Sequence, residues 1–170
     1  MRIIAGRHRG LTLASVGKGD AAAHLRPTSD RVRESLFNLL VNGGYGDPLT
    51  GARVLDLFAG TGALGLEALS RGAAHVTFVD DGVKARALIR ENVEKCRARA
   101  ETALNRRDAT RLGENRDAAF DLIFLDPPYG KGLGQKALAA ARAGGWLADG
   151  ALDRRKYGDT HITLMRAVSP

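Results

Sequence analysis

The stretch "RVLDLFAGTGALGLEALSRG", residues 53–72, constrains this chain more than any other. A run of apolar residues long enough for a buried strand ends in a glycine-rich turn, and the turn opens directly into an apolar helix pattern. The unit then recurs. "HVTFVD" reads as a second strand, "GVKARALIRENVEKCRARA" as a second helix, "ALNRRD" as a weak third strand and "FDLIFLD" as a clear fourth. Strands alternating with helices imply an α/β fold with a mostly parallel sheet and helices on both faces. Right-handed crossovers bring the carboxyl ends of the strands to one edge, where open sheets of this kind bind ligands.

Within the first unit, Gly60, Gly62 and Gly65 form G-x-G-x-x-G, and Asp80 follows Gly60 by twenty residues at the end of the next strand. That spacing suits a dinucleotide as well as S-adenosylmethionine. Asp56 separates the two. A carboxylate four residues before the first glycine repels a pyrophosphate and attracts a donor carrying an ammonium and a sulfonium. Asp56, Gly60, Thr61, Gly62 and Gly65 are therefore assigned to the methyl donor. Asp80 or the adjacent Asp81 is assigned to its ribose hydroxyls, and Asp108 with the Ala109 backbone to its adenine. A dehydrogenase using the glycine loop is the weaker alternative.

The fourth strand ends in Asp126-Pro127-Pro128-Tyr129. At about 5% per residue type, this tetrapeptide arises by chance in on the order of one in a thousand chains of this length. Each residue has a chemical use at a strand end. The prolines stiffen the turn, and Asp126 with the Pro127 carbonyl can accept both hydrogens of an exocyclic amine, turning its lone pair outward. Tyr129 can stack on the base, a contribution of roughly 1 to 3 kcal/mol. A base inside a helix cannot reach such a pocket, so the target is unpaired or flipped out.

Charge names the kind of partner. Lys and Arg total 26 against 19 acids, a net charge of +7. Residues 1–33 carry Arg2, Arg7, Arg9, Lys18, Arg26, Arg31 and Arg33 against Asp20 and Asp30, so +5 of the +7 lies in this fifth of the chain. A polyanion is the expected partner. "RIIAGRHRGLTLASV" reads as a small hairpin whose turn holds Arg7, His8 and Arg9. "RPTSDRVRESLFNLLVNGG" reads as a helix capped by Thr28 or Ser29, with an apolar stripe of Val32, Leu36, Leu39 and Leu40. Arg31 and Arg33 are expected off that stripe and open to an anion.

Taken together, "DLFAGTGALG" and "DPPYGKG" resemble the amino-methyltransferases of nucleic acids that use S-adenosylmethionine. The blocks "MRIIAGRHRG", "LRPTSDRVRESLFNLL", "GLEALSRGA" and "DRRKYGDT" narrow the resemblance to the bacterial RsmD family. It implies a Rossmann-like class I methyltransferase fold over residues 48–170, with residues 1–47 as a basic, RNA-binding extension of hairpin plus helix. It also implies methyl transfer to N2 of one guanine in 16S ribosomal RNA, within a small subunit or its assembly intermediate. Arg7, Arg9, Arg26, Arg31 and Arg33 would then hold RNA phosphates. The amino-group box alone also permits N6-adenine methylation of DNA or another RNA.

The remaining expectations are briefer. His8, His24, His75 and His161 show no metal spacing, and no serine or cysteine has a base beside it, so neither metal nor covalent catalysis is expected. Cys96 reads as a small buried hydrophobe. The start lacks the apolar centre of a secretory signal and no run is long enough for a membrane span, so a soluble, cytoplasmic protein is expected, and separately a monomer. Past "GQKALAAARAGGWL" a buried strand is due near Ala151, as the family pattern also implies. The sequence moves instead into "LDRRKYGDTHITLMRAV", of which only "HITLM" reads as a strand.

Overall fold

The computed structural model describes residues 1–16, 29–44, 46–128, 132–148, 150–157 and 160–167. Arg26 and Tyr129 lie outside them. In chain order the elements are α1 (Asp30–Asn42), β1 (Arg53–Leu57), α2 (Ala63–Ser70), β2 (His75–Val79), α3 (Val83–Lys95), β3 (Thr102–Asn105), β4 (Leu122–Leu125), α4 (Leu133–Ala143), β5 (Gly150–Tyr157) and β6 (Thr160–Ala167).

The first four strands form one parallel sheet in the order β3-β2-β1-β4, with Leu57 opposite Val79 on one side and Leu125 on the other. Strand alternation sends residues of this sheet to two cores. Val54, Val76, Phe78, Leu122 and Phe124 face α1, α2 and α3, while Leu55, Leu57, Val79, Ile123 and Leu125 face Ala137 and Ala141 of α4. Both faces are covered, which is why these strands read as unbroken apolar runs. Cys96 lies buried in the first core, and burial pushes its thiol up to about 11. Among the described residues no helix is long and apolar enough to cross a membrane.

The amino-terminal residues share the first core, since Ile3, Leu13, Leu36, Phe37 and Leu40 cluster with Val54, Leu66 and Phe78. The expected hairpin is a single antiparallel bridge, Arg2 with Thr12, closed by the turn that carries Arg7, His8 and Arg9. Its ladder stops early because a side chain takes the next donors. The amides of Ile4 and Ala5 donate to the Glu67 carboxylate at 2.8 and 3.1 Å.

Two expectations do not hold. The buried stripe of α1 is Arg33, Leu36, Phe37 and Leu40, with Ser29 as the cap accepting from the Val32 amide. Arg33 is thus fully buried rather than open to an anion. It donates to the Arg2 carbonyl at 2.9 Å, pairs with Asp30, and lies 3.7 Å from Glu67. Its charge is met by two carboxylates, the buried Glu67 and the exposed Asp30. At the other end, "LDRRKY" forms most of β5, which pairs antiparallel with β6, and β6 runs beside β4. Charged residues hid this strand from any apolar pattern.

Candidate active site

Each strand of the parallel sheet delivers one aspartate to the same edge. In spatial order they are Asp108 beyond β3, Asp80 beyond β2, Asp56 within β1 and Asp126 beyond β4. The order follows from the topology, because β1 and β4 are neighbours although Asp56 and Asp126 are far apart in sequence.

The glycine loop turns sharply between β1 and α2. Phe58, Gly60 and Gly62 all have positive φ, at 55°, 60° and 81°. A left-handed phenylalanine is uncommon, and such strain concentrates at binding loops. Gly65 serves a different purpose. A Cβ there would stand 2.5 Å from the Phe78 ring and 2.7 Å from Val76, so its absence lets α2 press against β2. That approach also brings the Gly65 amide within 3.1 Å of Asp56, to whose carboxylate it donates.

Asp56 is only 1% exposed. Burial above all, then the nearby Asp126 and Asp80 carboxylates, raise its pKa well above the ordinary carboxylate range, against the opposing Gly65 hydrogen bond. Among the described residues no lysine or arginine forms an ion pair with it, and a cation placed beside it would relieve the cost of its charge. Asp80 braces the loop as well as facing it. It accepts from the Gly60 amide at 3.0 Å and the Gly82 amide at 2.9 Å, using two of its roughly four acceptor sites. Burial raises its pKa, while those amides and Arg86 pull the other way. Asp81 is exposed, and its carbonyl accepts from buried Arg86.

Asp108 caps the short turn Ala109–Arg111. It accepts from the Thr110 hydroxyl and amide, which lower its pKa. It remains exposed, with Ala109 buried behind it in the second core. Asp126, Pro127 and Pro128 are half-buried, and Gly134 of α4 sits where an added Cβ would touch the Pro127 ring at 3.4 Å. The first turn of α4 therefore backs the proline turn.

Of the basic residues, Arg9 and Arg31 are exposed, and Arg7 is half exposed while pairing with Glu101 at 2.9 Å. The turn that carries Arg7 and Arg9 is clamped to the end of α2. The Arg7 amide donates to the Ser70 carbonyl, the His8 amide donates to the Ser70 hydroxyl, and that hydroxyl donates to the Ala5 carbonyl. Gly6, with φ +87°, sits so close that a Cβ would fall 1.9 Å from the Ser70 carbonyl oxygen.

Sequence reasoning missed three residues that organise this region: Glu67, Arg86 and Asn92, all buried. Asn92 donates to the Thr61 carbonyl in the glycine loop at 2.9 Å. The signal was present in each case as a polar residue inside an apolar pattern: Glu67 in the wholly buried α2, and Arg86 and Asn92 on the buried face of α3.

This geometry has relatives. The family model described as "Conserved hypothetical protein 95" matches residues 1–162. The chain is 39% identical over 153 residues to "Ribosomal RNA small subunit methyltransferase D" of Escherichia coli, covering 89% of this chain and 72% of the relative. It is 36% identical over 155 residues to the protein of the same name from Haemophilus influenzae, covering 89% and 76%. The solved structure of "Putative methyltransferase yhhF" from Escherichia coli superposes with a TM-score of 0.76, at 29% identity, over 98% of each chain. The fold is the Rossmann-like fold of class I methyltransferases, and the chain belongs to the conserved hypothetical protein 95 family, the RsmD family.

Proposed function

We propose that this protein transfers a methyl group from S-adenosylmethionine to the exocyclic N2 amine of a guanine in 16S ribosomal RNA. The observation that carries the reading is the placement of Asp56, one residue before the end of β1, and Asp126, just beyond β4, on neighbouring paired strands. One belongs to a glycine loop and the other to an amine-accepting turn.

The residues fit this donor. A buried carboxyl flanked by two more, beside a loop with left-handed glycines, suits a cationic ligand and penalises the pyrophosphate of a dinucleotide. S-adenosylmethionine would supply an electrophilic methyl on a sulfonium, the N–C bond forming as the C–S bond breaks and S-adenosylhomocysteine leaves as a neutral thioether. Asp56 faces the donor's positive charge, Gly60 and Gly62 let the loop backbone approach the donor closely, Gly65 seats the helix behind them, and Asp80 or Asp81 accepts from its ribose. Asp108 and Ala109 lie on the same edge, further along, where adenine would rest.

Asp126 and the Pro127 carbonyl accept the two amine hydrogens and hold the nitrogen pyramidal. Tyr129 stacks on the base, fixing it in line with the methyl. The proton released as the nitrogen gains its methyl passes to water, so Asp126 orients the amine and need not be a strong base. Arg7, Arg9 and Arg31 bind phosphates, together with Arg26. Arg33 drops out of that set, since it is buried. Small subunits or their assembly intermediates, in the cytoplasm, are the natural setting for a protein of this kind acting as a monomer.

Tritiated methyl transfer tests the reading across small ribosomal subunits, naked small-subunit RNA and duplex DNA. Label in the RNA of subunits or in naked RNA supports it, and label in DNA alone contradicts it. Protection against thermal unfolding by S-adenosylmethionine, without protection by NADH, excludes the dehydrogenase.

A further inference from the structure

We propose that Asn92 is a positioning residue that ties the basic amino-terminal segment to the glycine loop, so that RNA on the first and methyl donor at the second bind more tightly together than apart. The inference rests on the preceding reading of what each part binds.

Asn92 is wholly buried in α3, and its amide spans two backbone segments. Oδ1 accepts from the Ala14 amide at 2.7 Å, and Nδ2 donates to the Ala14 carbonyl at 3.0 Å and to the Thr61 carbonyl at 2.9 Å. Both amide hydrogens are used. Ala14 shortly precedes the stretch of sequence that carries Lys18 and Arg26, while Thr61 stands between Gly60 and Gly62. One side chain therefore holds both the base of the RNA-binding segment and the crown of the donor loop.

Other interactions run the same way. The Thr61 hydroxyl lies 4.0 Å from the Met1 sulfur, and the Met1 carbonyl accepts from the Leu13 amide. Helix α2 starts at the donor loop and ends on the turn of Arg7 and Arg9, where Gly6 leaves no room for slippage against Ser70. If Thr61 moves, a buried amide hydrogen of Asn92 loses its acceptor, which buried donors tolerate badly. The loop geometry and the seating of Ala14 thus form one equilibrium. A donor that fixes the loop favours the seated segment, and linkage requires RNA that fixes the segment to favour the donor by the same factor.

The test uses the full chain and S-adenosylhomocysteine, which cannot turn over, with in vitro transcribed small-subunit RNA. The dissociation constant of each is measured alone and with the other saturating. The expected result is one shared factor, about 5- to 150-fold, in both directions. Asn92→Ala brings it to about one, whereas Val93→Ala, which removes buried apolar volume at the next position, leaves it in place. A factor of one in the wild-type chain, with both ligands binding, overturns the coupling and leaves the functional reading standing. Equal losses in the two variants assign Asn92 a merely structural role and also overturn it. Failure of either ligand to bind alone overturns the functional reading, and the coupling with it.

Discussion

Asp56 and Asp126 lie on adjoining parallel strands, with Asp56 opposite Phe124 and Asp126 two residues further on, so the two carboxylates close the same edge of the sheet. The Asp126 carboxylate raises the cost of ionising Asp56, which is already buried, although the Gly65 amide offsets part of that cost. A ligand that brings positive charge would offset the rest.

Replacing Asp56 with Asn keeps an acceptor for the Gly65 amide and removes the charge. Donor affinity should fall by about 10- to 100-fold, the worth of a charged hydrogen bond of roughly 1.5 to 3 kcal/mol. Titration calorimetry with S-adenosylmethionine checks this.

The same substitution has a signed effect on stability. The Asp56 carboxyl is raised in the folded state from an ordinary value of 3.8, so its favourable contribution is complete below that value and is lost as pH rises. Without ligand, Asp56→Asn should therefore gain stability over the wild-type chain as pH rises from about 4 toward neutrality. Denaturant unfolding of both proteins across that range measures the difference, and a gain that shrinks with pH contradicts the assignment.

Asp126→Ala should separate chemistry from binding. Single-turnover methyl transfer should slow by about a hundredfold or more, while donor affinity changes far less. Equal losses in rate and donor affinity would move Asp126 out of its assigned role.

Charge reversal at Arg7 and Arg9 should weaken RNA binding and flatten its salt dependence by about 0.7 to 0.9 in log-log slope for each phosphate no longer neutralised. Donor binding measured without RNA should not change. Filter binding over a salt series gives the slope.

Arg33→Ala should behave differently from those two. It leaves Asp30 without this partner and weakens the charge balance around buried Glu67, although Arg71 still pairs with Glu67 at 2.9 Å. A loss of about 3 kcal/mol in unfolding free energy, read by denaturant titration, is expected. RNA affinity of the protein that remains folded should hold.

The contrast between Arg33 and Asp126 shows what the sequence could carry. Strand ends are local: an apolar run that stops at a carboxylate places that carboxylate at a sheet edge, so Asp80 and Asp126 could be located from pattern and topology alone, and Asp56 from its place just before the glycine loop. The rotation of α1 is not local. Val32 and Leu39 made an apolar stripe as plausible as the one through Arg33 and Phe37, and only the partners Asp30, Glu67 and the Arg2 carbonyl decide which side faces inward. A polar residue on a buried face marked Asn92 and Glu67 as unusual, but not their partners, since their hydrogen bonds to Ala14 and Ile4 span 78 and 63 residues. In β5 the charged run "DRRK" gave no apolar strand pattern, although its pairing with β6 is regular along its whole length.

Whether this edge methylates the amino group of guanine in small-subunit RNA is decided most directly by mass-spectrometric nucleoside analysis. The RNA comes from small subunits of cells lacking the protein, after incubation with the purified chain and S-adenosylmethionine. N2-methylguanosine at one site is expected, absent when Asp126→Ala replaces the wild-type chain over the same interval. N6-methyladenosine, or no methylated nucleoside despite bound donor, would refute the assignment.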